Sequence, residues 1–288
     1  METGFQTCYR HPDHQAGVIC QRCDRPICPQ CMHQASVGFH CPECTKQGAQ
    51  KIYRGAAALS ARPIMTQVLI AVNVAIFAIG LLMEGADAAL DGANRMLNDF
   101  GLAAVFIYDG EYYRLITSGF LHGGIIHLGL NMWVLWIFGQ AMENMGSRQK
   151  YAAVYAASLL AGSLGALVID PDKLTIGASG AIFGLAGAIL LAQRARGVPI
   201  GRSPLLAFLL INAVISVSIP GISFGGHLGG FIGGALTGWA FYDLGERQGT
   251  NKWLPWAVTA GVALVLVVAC IVVSDSWVND QMRTLTGG

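Results

Sequence analysis

Seven apolar segments constrain this chain more than any other feature of its sequence. They occupy residues 64–83, 125–142, 151–169, 178–192, 205–219, 226–242 and 254–273. A helix needs about 20 apolar residues to cross the hydrocarbon of a bilayer, and 53% of this chain is hydrophobic while only 12% is charged. The pattern therefore predicts an all-α polytopic membrane protein, and a soluble bundle of buried helices is the less favoured alternative.

The fourth, fifth and sixth segments are short for helices that face lipid along their whole length. A helix can end inside the bilayer only where protein or a water-filled cavity satisfies its free backbone groups. We therefore expect these three helices to stop below the membrane surface, beside such a cavity.

Basic residues predict the orientation of the chain in the membrane. Eleven lysines and arginines fall in segments on one side of the predicted spans, and four fall on the other side. Because basic loops remain in the cytoplasm, we expect a cytoplasmic amino terminus and an external carboxyl terminus in a multi-pass protein of a bacterial plasma membrane. The polar, cysteine-rich residues 1–60 predict no cleavable signal peptide, and a net charge of +1 without a basic stripe predicts no nucleic-acid partner.

Seven of the eight cysteines lie in the first 44 residues, where a histidine completes four closely spaced pairs. The pairs are Cys8 with His11, Cys20 with Cys23, Cys28 with Cys31, and Cys41 with Cys44. Eight such ligands make two tetrahedral zinc sites. Disulfides are the alternative, but a cytoplasmic location and an odd number of cysteines argue against them. About 40 residues rarely fold without such staples.

The spacing resembles the B-box and related cross-brace zinc fingers. That resemblance implies that the first and third pairs share one metal and that the second and fourth share the other. Two consecutive zinc ribbons would instead join the first pair to the second and the third to the fourth. His14, His33 and His40 remain spare, although His40 could compete with Cys41. We expect a structural or docking module that can bind a cytoplasmic protein partner.

Two polar residues open apolar segments where a membrane helix should not need them. Ser179 lies between Gly177 and Gly180 at the start of the fourth segment, and His227 begins the sixth. An ionisable group at this depth indicates a functional site. A serine nucleophile needs a base within hydrogen-bond reach and donors for the oxyanion. His227 is the candidate base, although a serine beside glycine also serves ordinary helix packing in membranes.

The sequence also contains candidate hydrogen-bond donors for an oxyanion. Backbone amides near Ser179 and Gly180 would be free at the start of a helix. His127 and Asn131 lie four residues apart, so a helix presents both on one face.

Four motifs together resemble the rhomboid family of intramembrane serine proteases, over roughly residues 64–242. They are, in chain order, residues 113–122 (YRLITSGFLH), His127-x3-Asn131-Met132, Gly177-x-Ser179-Gly180 and His227-x2-Gly230-x3-Gly234. The resemblance implies a six-helix core with a seventh helix, as in a subset of the family. It also implies hydrolysis of peptide bonds in or near transmembrane segments of other membrane proteins, by an enzyme embedded in the lipid bilayer.

The resemblance also assigns roles to these residues. It implies that Ser179 is the nucleophile and that His227 is the general base and acid of a dyad without a carboxylate. Asn131 and His127 would assist the oxyanion beside Gly180. The family often has tyrosine where this chain has Phe183, which keeps a ring to stack on the histidine but loses the hydroxyl. A catalytically inactive, client-binding relative is the alternative, and a transporter is disfavoured because the two halves show no inverted repeat.

The organisation that follows has four parts. We expect a B-box-like double zinc finger over residues 1–45, a basic linker over 46–62, the six-helix catalytic core over 63–243, and an additional transmembrane helix with an external tail over 244–288. Two structural zinc ions belong to the first part, and catalysis needs no cofactor.

Overall fold

The computed structural model describes residues 6–35, 38–48, 63–85, 95–219, 221–246 and 251–286. The chain divides into two compact units, Met1–Ser60 and Ala61–Gly288. Most of the linker expected over residues 46–62 lies outside the described residues, and the part boundaries stay predictions.

The first unit contains two short hairpins and one helix. Strands β1 (Val18–Ile19) and β2 (Pro26–Ile27) pair antiparallel, as do β3 (His33–Gln34) and β4 (Phe39–His40). A 3-10 turn covers Pro29–Cys31, and helix α1 covers Pro42–Gly48. Its buried cluster consists of six cysteines and Ile27. A core of that size supplies little hydrophobic stabilisation. The cysteines of this cluster are among the residues that could hold a metal ion.

The described residues of the second unit form helices joined by short connections, with one isolated β-bridge between Leu102 and Thr175. Its helices are α2 (Ile64–Glu84), α3 (Arg95–Phe100), α4 (Ala104–Tyr108), α5 (Arg114–Thr117), α6 (Ile125–Met145), α7 (Arg148–Ile169), α8 (Ser179–Ala195), α9 (Pro204–Ser218), α10 (Phe224–Trp239) and α11 (Leu254–Thr286). Turns of 3-10 helix cover Ser118–Phe120 and Ile200–Arg202, and a π-helical turn covers Ala240–Leu244.

The lengths of the helices confirm that the middle of the bundle is short. Among the described helices, four are long and apolar enough to cross a membrane, namely α2, α6, α7 and α11. Helices α8, α9 and α10 have 17, 15 and 16 residues. At 1.5 Å per residue they span about 22–26 Å, less than the roughly 30 Å of bilayer hydrocarbon.

Helix α8 forms the centre of the unit, because twelve of its 17 residues are buried. It packs closely on α10 through glycines. A Cβ on Gly230 would overlap the Gly180 carbonyl, and one on Gly234 would overlap the Gly184 carbonyl. This pairing confirms the close approach that the glycine spacing predicts. Both pairs advance by four residues in the same direction, so α8 and α10 run parallel and begin at the same end of the bundle.

Helix α11 packs against α4, α5 and α7. Cys270 is fully buried there in a cluster with Leu102, Ile107, Leu115 and Leu167. Its neighbours in that cluster are apolar, as expected for a thiol that fills space.

Candidate active site and metal centres

A cavity of about 880 Å³ opens among α6, α8, α9 and α10. It brings together the five residues expected to carry the chemistry: His127, Asn131, Ser179, Gly180 and His227. Its other polar lining residues are Ser118, Ser163, Thr175, Asn212 and Ser223. The described residues that line it include no aspartate, glutamate, lysine or arginine.

Ser179 is the first residue of α8, on a turn that the backbone holds in place. Gly177 adopts a φ of 120°, which favours glycine, and its amide donates to the Ser118 carbonyl at 2.9 Å. Just upstream, Thr175 exchanges two backbone hydrogen bonds with Leu102, at 2.8 and 3.0 Å. The first amides of α8 lack partners within the helix, so they lie free beside the serine.

His227 lies in the first turn of α10, whose start is capped by the Ser223 hydroxyl accepting from the Gly226 amide at 3.0 Å. The imidazole stacks on Phe183, with centroids 4.1 Å apart and planes 10° apart. Its Nδ1 lies 2.7 Å from Ser216 Oγ, on α9. Two neighbours from two different helices therefore fix the position of the ring.

No direct hydrogen bond joins Ser179 to His227 in the described part of the chain, although both side chains line one cavity. In a site without substrate, such a bond is often long and tightens only when substrate binds.

His127 and Asn131 lie one turn apart on α6. The Asn131 amide donates to the His127 carbonyl at 3.0 Å, which occupies one of its two N–H groups. The Gly123 amide makes a weak 3.4 Å bond to His127 Nδ1. Because that nitrogen accepts, the proton of the neutral ring lies on Nε2.

The donor nitrogen of His127 faces the serine. A Cβ on Gly177 would lie 3.0 Å from His127 Nε2 and 3.7 Å from Ser179 Oγ. The two atoms therefore border the same small space, which only glycine leaves open. Asn131 and Gly180 line the same cavity.

Arg114 organises the segment between α2 and α6. Its buried guanidinium donates to the Asn98 carbonyl at 2.6 Å and to the Gly101 carbonyl at 2.8 Å. It also pairs with Glu111, and the hydrogen bond from Arg114 holds the pKa of the Glu111 carboxyl below its usual value. The guanidinium lies over the Phe106 ring at 3.9 Å. One side chain thus ties α3, α4 and α5 together.

Glu143 has a structural position at the other end of the unit. Its carboxylate accepts from the Thr66 amide at 2.7 Å and from the Thr66 hydroxyl at 2.9 Å. These bonds satisfy the first turn of α2.

The sequence reasoning missed Ser216, which touches the imidazole without lining the cavity. Its distance of eleven residues from His227 along the chain matches no motif. The only available signal was the short connection between α9 and α10, which brings the end of one helix against the start of the next.

The first unit groups its eight ligands into two sets. One set contains Cys8, His11, Cys28 and Cys31, and the other contains Cys20, Cys23, Cys41 and Cys44. Within each set the ligand atoms lie within 4.8 Å of one another. The first pair thus lies with the third and the second with the fourth, which is the cross-brace arrangement and not that of two consecutive ribbons. The spare histidines belong to neither set.

The spacing of these atoms fits a tetrahedral ion. The Sγ atoms of Cys23 and Cys41 are 3.8 Å apart, and His11 Nδ1 is 3.4 Å from Cys28 Sγ and 3.3 Å from Cys31 Sγ. Ligands bound to zinc at about 2.0–2.3 Å in a tetrahedron are separated by roughly 3.3–3.8 Å.

Protons compete with a metal for these thiols. Burial, and then hydrogen bonds from neighbouring thiols, raise the pKa of Cys44 to about 12. Burial also opposes ionisation of Cys20, but hydrogen bonds from the Cys41 and Arg22 amides outweigh it and lower the pKa of that thiol to about 6. A cation must displace the remaining protons, so its affinity falls as the pH falls.

Comparisons with known proteins agree with this geometry. The family model described as the rhomboid domain matches residues 109–244. The rhomboid protease GluP of Bacillus subtilis is 32% identical over 193 residues, which are 66% of this chain and 37% of GluP. The provisionally named rhomboid protease YdcA of the same organism is 37% identical over 149 residues, which are 49% of this chain and 73% of YdcA. The rhomboid-type serine protease 2 of Emericella nidulans is 31% identical over 187 residues, or 62% of this chain and 35% of that protein.

The chain thus spans well under half the length of GluP and most of YdcA. The matched region contains α6 to α10, and with them every residue that lines the cavity between His127 and His227. The rhomboid match and the four long apolar helices establish a multi-pass membrane protein.

Proposed function

The chain belongs to the rhomboid family, and from this membership and the geometry of its cavity we propose that it is an intramembrane serine endopeptidase with a Ser179–His227 dyad. The observation that carries the proposal is the convergence of a serine, a stacked histidine and two side-chain donors on one cavity among short helices. Its relatives named as proteases support the same chemistry.

In the proposed reaction, Ser179 Oγ attacks the carbonyl carbon of the scissile peptide bond while His227 Nε2 takes the hydroxyl proton. Negative charge develops on the carbonyl oxygen. In this proposal the second N–H of Asn131, the Nε2–H of His127 and the backbone amides near Gly180 stabilise it. His227 then gives its proton to the leaving amine, and water hydrolyses the acyl-enzyme by the same steps.

The substrates we propose are transmembrane segments of other membrane proteins. Trp133 of α6 and Phe208 of α9 line the cavity, and apolar side chains of α9 such as Leu210 and Val214 are exposed. An apolar opening between two helices suits a peptide that arrives from lipid. A water-filled cavity can then supply both the solvent for an unwound peptide and the hydrolytic water.

For the first unit we propose two structural zinc ions. Each ligand set offers four protein ligands, which leaves no open position for catalysis. The basic residues near α2 support a cytoplasmic location for this unit, so we propose that it binds a cytoplasmic protein or regulates access of clients. The dyad would lie toward the external face, together with the carboxyl terminus.

The test is covalent labelling by a fluorophosphonate probe, combined with cleavage of a transmembrane reporter in proteoliposomes. We expect the native chain to label at Ser179 and to cut the reporter. Ser179→Ala and His227→Ala should each abolish both activities and leave the melting temperature unchanged, whereas Ser218→Ala, at an exposed serine, should retain them. Cleavage by Ser179→Ala would overturn the proposal. A native chain that binds the reporter but neither labels nor cuts would be a catalytically inactive relative.

A further inference from the structure

The hydroxyl of Ser216 connects two groups that the proposed dyad needs to have fixed. Ser216 lies in the last turn of α9 and is only 4% exposed. Its Oγ is 2.7 Å from the Asn212 carbonyl oxygen and 2.7 Å from His227 Nδ1. Both distances are those of good hydrogen bonds.

The proton of this hydroxyl can serve only one of these contacts. A carbonyl oxygen accepts and never donates, so the short contact to Asn212 requires the Ser216 hydrogen. The contact to His227 is then satisfied only if Nδ1 carries a hydrogen and Ser216 Oγ accepts it. In the neutral ring, the unprotonated nitrogen is therefore Nε2.

Stacking does not by itself select this state of the ring. The Phe183 ring lies parallel to the imidazole, and a half-turn of the imidazole about its Cβ–Cγ bond keeps the two planes parallel. That half-turn exchanges a nitrogen for a carbon at each edge of the ring. The Ser216 bond is lost in the turned state, so Ser216 discriminates between two orientations that Phe183 accepts equally.

We propose that Ser216 is a positioning residue, which holds His227 as the Nδ1–H tautomer with Nε2 presented to Ser179. This inference rests on the proposed function. It gives the dyad a third member that resembles the carboxylate of a catalytic triad in position but not in charge.

The same contact changes strength during the reaction. When His227 takes the serine proton, its Nδ1–H becomes part of a cation, and hydrogen bonds from ionised donors are stronger than neutral ones. An interaction that strengthens in the transition state raises kcat. Ser216 lies behind the ring and outside the cavity lining, so its loss should leave KM nearly unchanged.

The test compares Ser216→Thr with Ser216→Val in the full-length protein. These side chains have the same shape, and only threonine keeps the hydroxyl. We expect Ser216→Val to lower kcat and the rate of fluorophosphonate labelling about 10–100-fold, the range for a lost hydrogen bond to a charged group. Ser216→Thr should remain within about 3-fold of the native chain, and Ser218→Ala on the same helix is the control for substitution near the end of α9.

A second measurement reads the tautomer directly. Nitrogen NMR of protein labelled with ¹⁵N-histidine separates protonated from unprotonated ring nitrogens, and subtraction of the His227→Gln spectrum assigns the His227 signals. We expect a protonated Nδ1 and an unprotonated Nε2 in the native chain and in Ser216→Thr. In Ser216→Val that preference should weaken toward a mixture.

The outcomes separate this inference from the proposed function. Equal kcat for folded Ser216→Thr and Ser216→Val, or a native His227 protonated at Nε2, would overturn the positioning role while labelling of Ser179 still stood. A native chain that never labels at Ser179 would overturn the protease proposal, and the NMR result would still decide the Ser216 contact. A Ser216→Val variant with a lowered melting temperature is judged by the tautomer of its folded fraction.

Discussion

Asn131 has one N–H group committed to the His127 carbonyl and one that is not, so the side chain is held in place and still has a donor for a reacting oxygen. We expect Asn131→Ala to lower kcat about 10–1000-fold, with KM little changed, because one oxyanion donor is lost. His127→Ala should lower kcat less than Asn131→Ala does. Steady-state cleavage of a transmembrane reporter measures both.

Asn212→Ala is the matched control for this change, because Asn212 also lines the cavity and bonds to its own helix. An unchanged kcat in Asn131→Ala would show that the backbone amides and a water molecule are sufficient.

Phe183 is the clearest departure of this chain from the residue expected by family resemblance. Because the ring stacks face to face on His227, Phe183→Tyr should alter kcat no more than about 3-fold. Phe183→Ala removes the stacking surface and enlarges the cavity that the ring lines, so it should reduce kcat far more and lower the melting temperature. A near-normal Phe183→Ala enzyme would mean that α9 and Ser216 support the imidazole alone.

Local sequence was sufficient to single out Ser179, His227, His127 and Asn131, since each is a polar residue within an apolar segment. It did not identify the other polar residues that line the cavity, such as Ser163 and Asn212. Local sequence was not sufficient to identify Ser216. Only the packing of α9 against α10 shows that Ser216 faces His227 whereas Ser218 is exposed. The proposed tautomer of His227 also depends on a partner on another helix, so only three-dimensional placement reveals it.

At the scale of helices, the contact between α8 and α10 depends on the absence of side chains. Gly234→Ala would drive a Cβ into the Gly184 carbonyl, and a backbone atom in a central helix has no room to move. We expect a lower melting temperature and loss of labelling at Ser179, because the shift separates the ends of both helices.

Gly261→Ala in α11 is the control for this prediction, since a Cβ there meets nothing within 4 Å. Replacing that exposed helical glycine should leave stability unchanged or raise it by about 0.5–1 kcal/mol. If Gly234→Ala behaves like Gly261→Ala, the close packing of α8 on α10 is not needed for the site.

The segment held by Arg114 should loosen in acid. The pKa of Glu111 is lower in the folded chain than in the unfolded one, so its bond to Arg114 contributes stability above the unfolded pKa and loses it as the pH falls through the folded pKa. The unfolded value is about 4.3. The protection of residues 95–117 against hydrogen exchange, relative to the intrinsic exchange rate at each pH, should therefore fall below about pH 4 in the native chain.

Glu111→Gln supplies the comparison for that titration. The variant should exchange faster at neutral pH and show little further change as the pH falls. Protection that is independent of pH in the native chain would show that the carbonyl contacts of Arg114 hold the segment without the carboxylate.

Helices α2, α6, α7 and α11 were predictable because each is long and apolar. The shorter α8, α9 and α10 were predictable because each contains an apolar run bounded by charged or glycine-containing segments. The residues at which each helix begins and ends were less predictable. The sixth span was expected over residues 226–242, whereas α10 covers Phe224–Trp239 and a π-helical turn continues to Leu244. Helices α3, α4 and α5 were not predicted, since each has at most six residues and depends on tertiary contacts rather than on its own periodicity.

At the scale of the whole molecule, we expect the second unit to cleave substrates without the first unit. We expect a chain that starts at Tyr53 to cut a generic transmembrane reporter in detergent at nearly the native rate, with altered client choice in cells. Metal analysis of the full-length protein should give about two zinc ions per chain, and Cys28→Ser or a chelator should unfold residues 8–44.

Acid should release that zinc, because protons compete for the thiols. If protein purified without chelator contains no zinc, the proposal that zinc stabilises the first unit is wrong. A shortened chain that is folded but inactive would instead mean that the first unit supports catalysis directly.

The neutrality of the cavity lining has a consequence for how this protein enters the membrane. An aspartate or arginine at the middle of a helix costs about 2.5–3.5 kcal/mol during insertion by the translocon, whereas serine, asparagine and neutral histidine carry no such charge. Helices α9 and α10 contain no charged residue. Each can therefore enter lipid before the rest of the bundle has formed. The cavity then forms when these helices pack together within the bilayer.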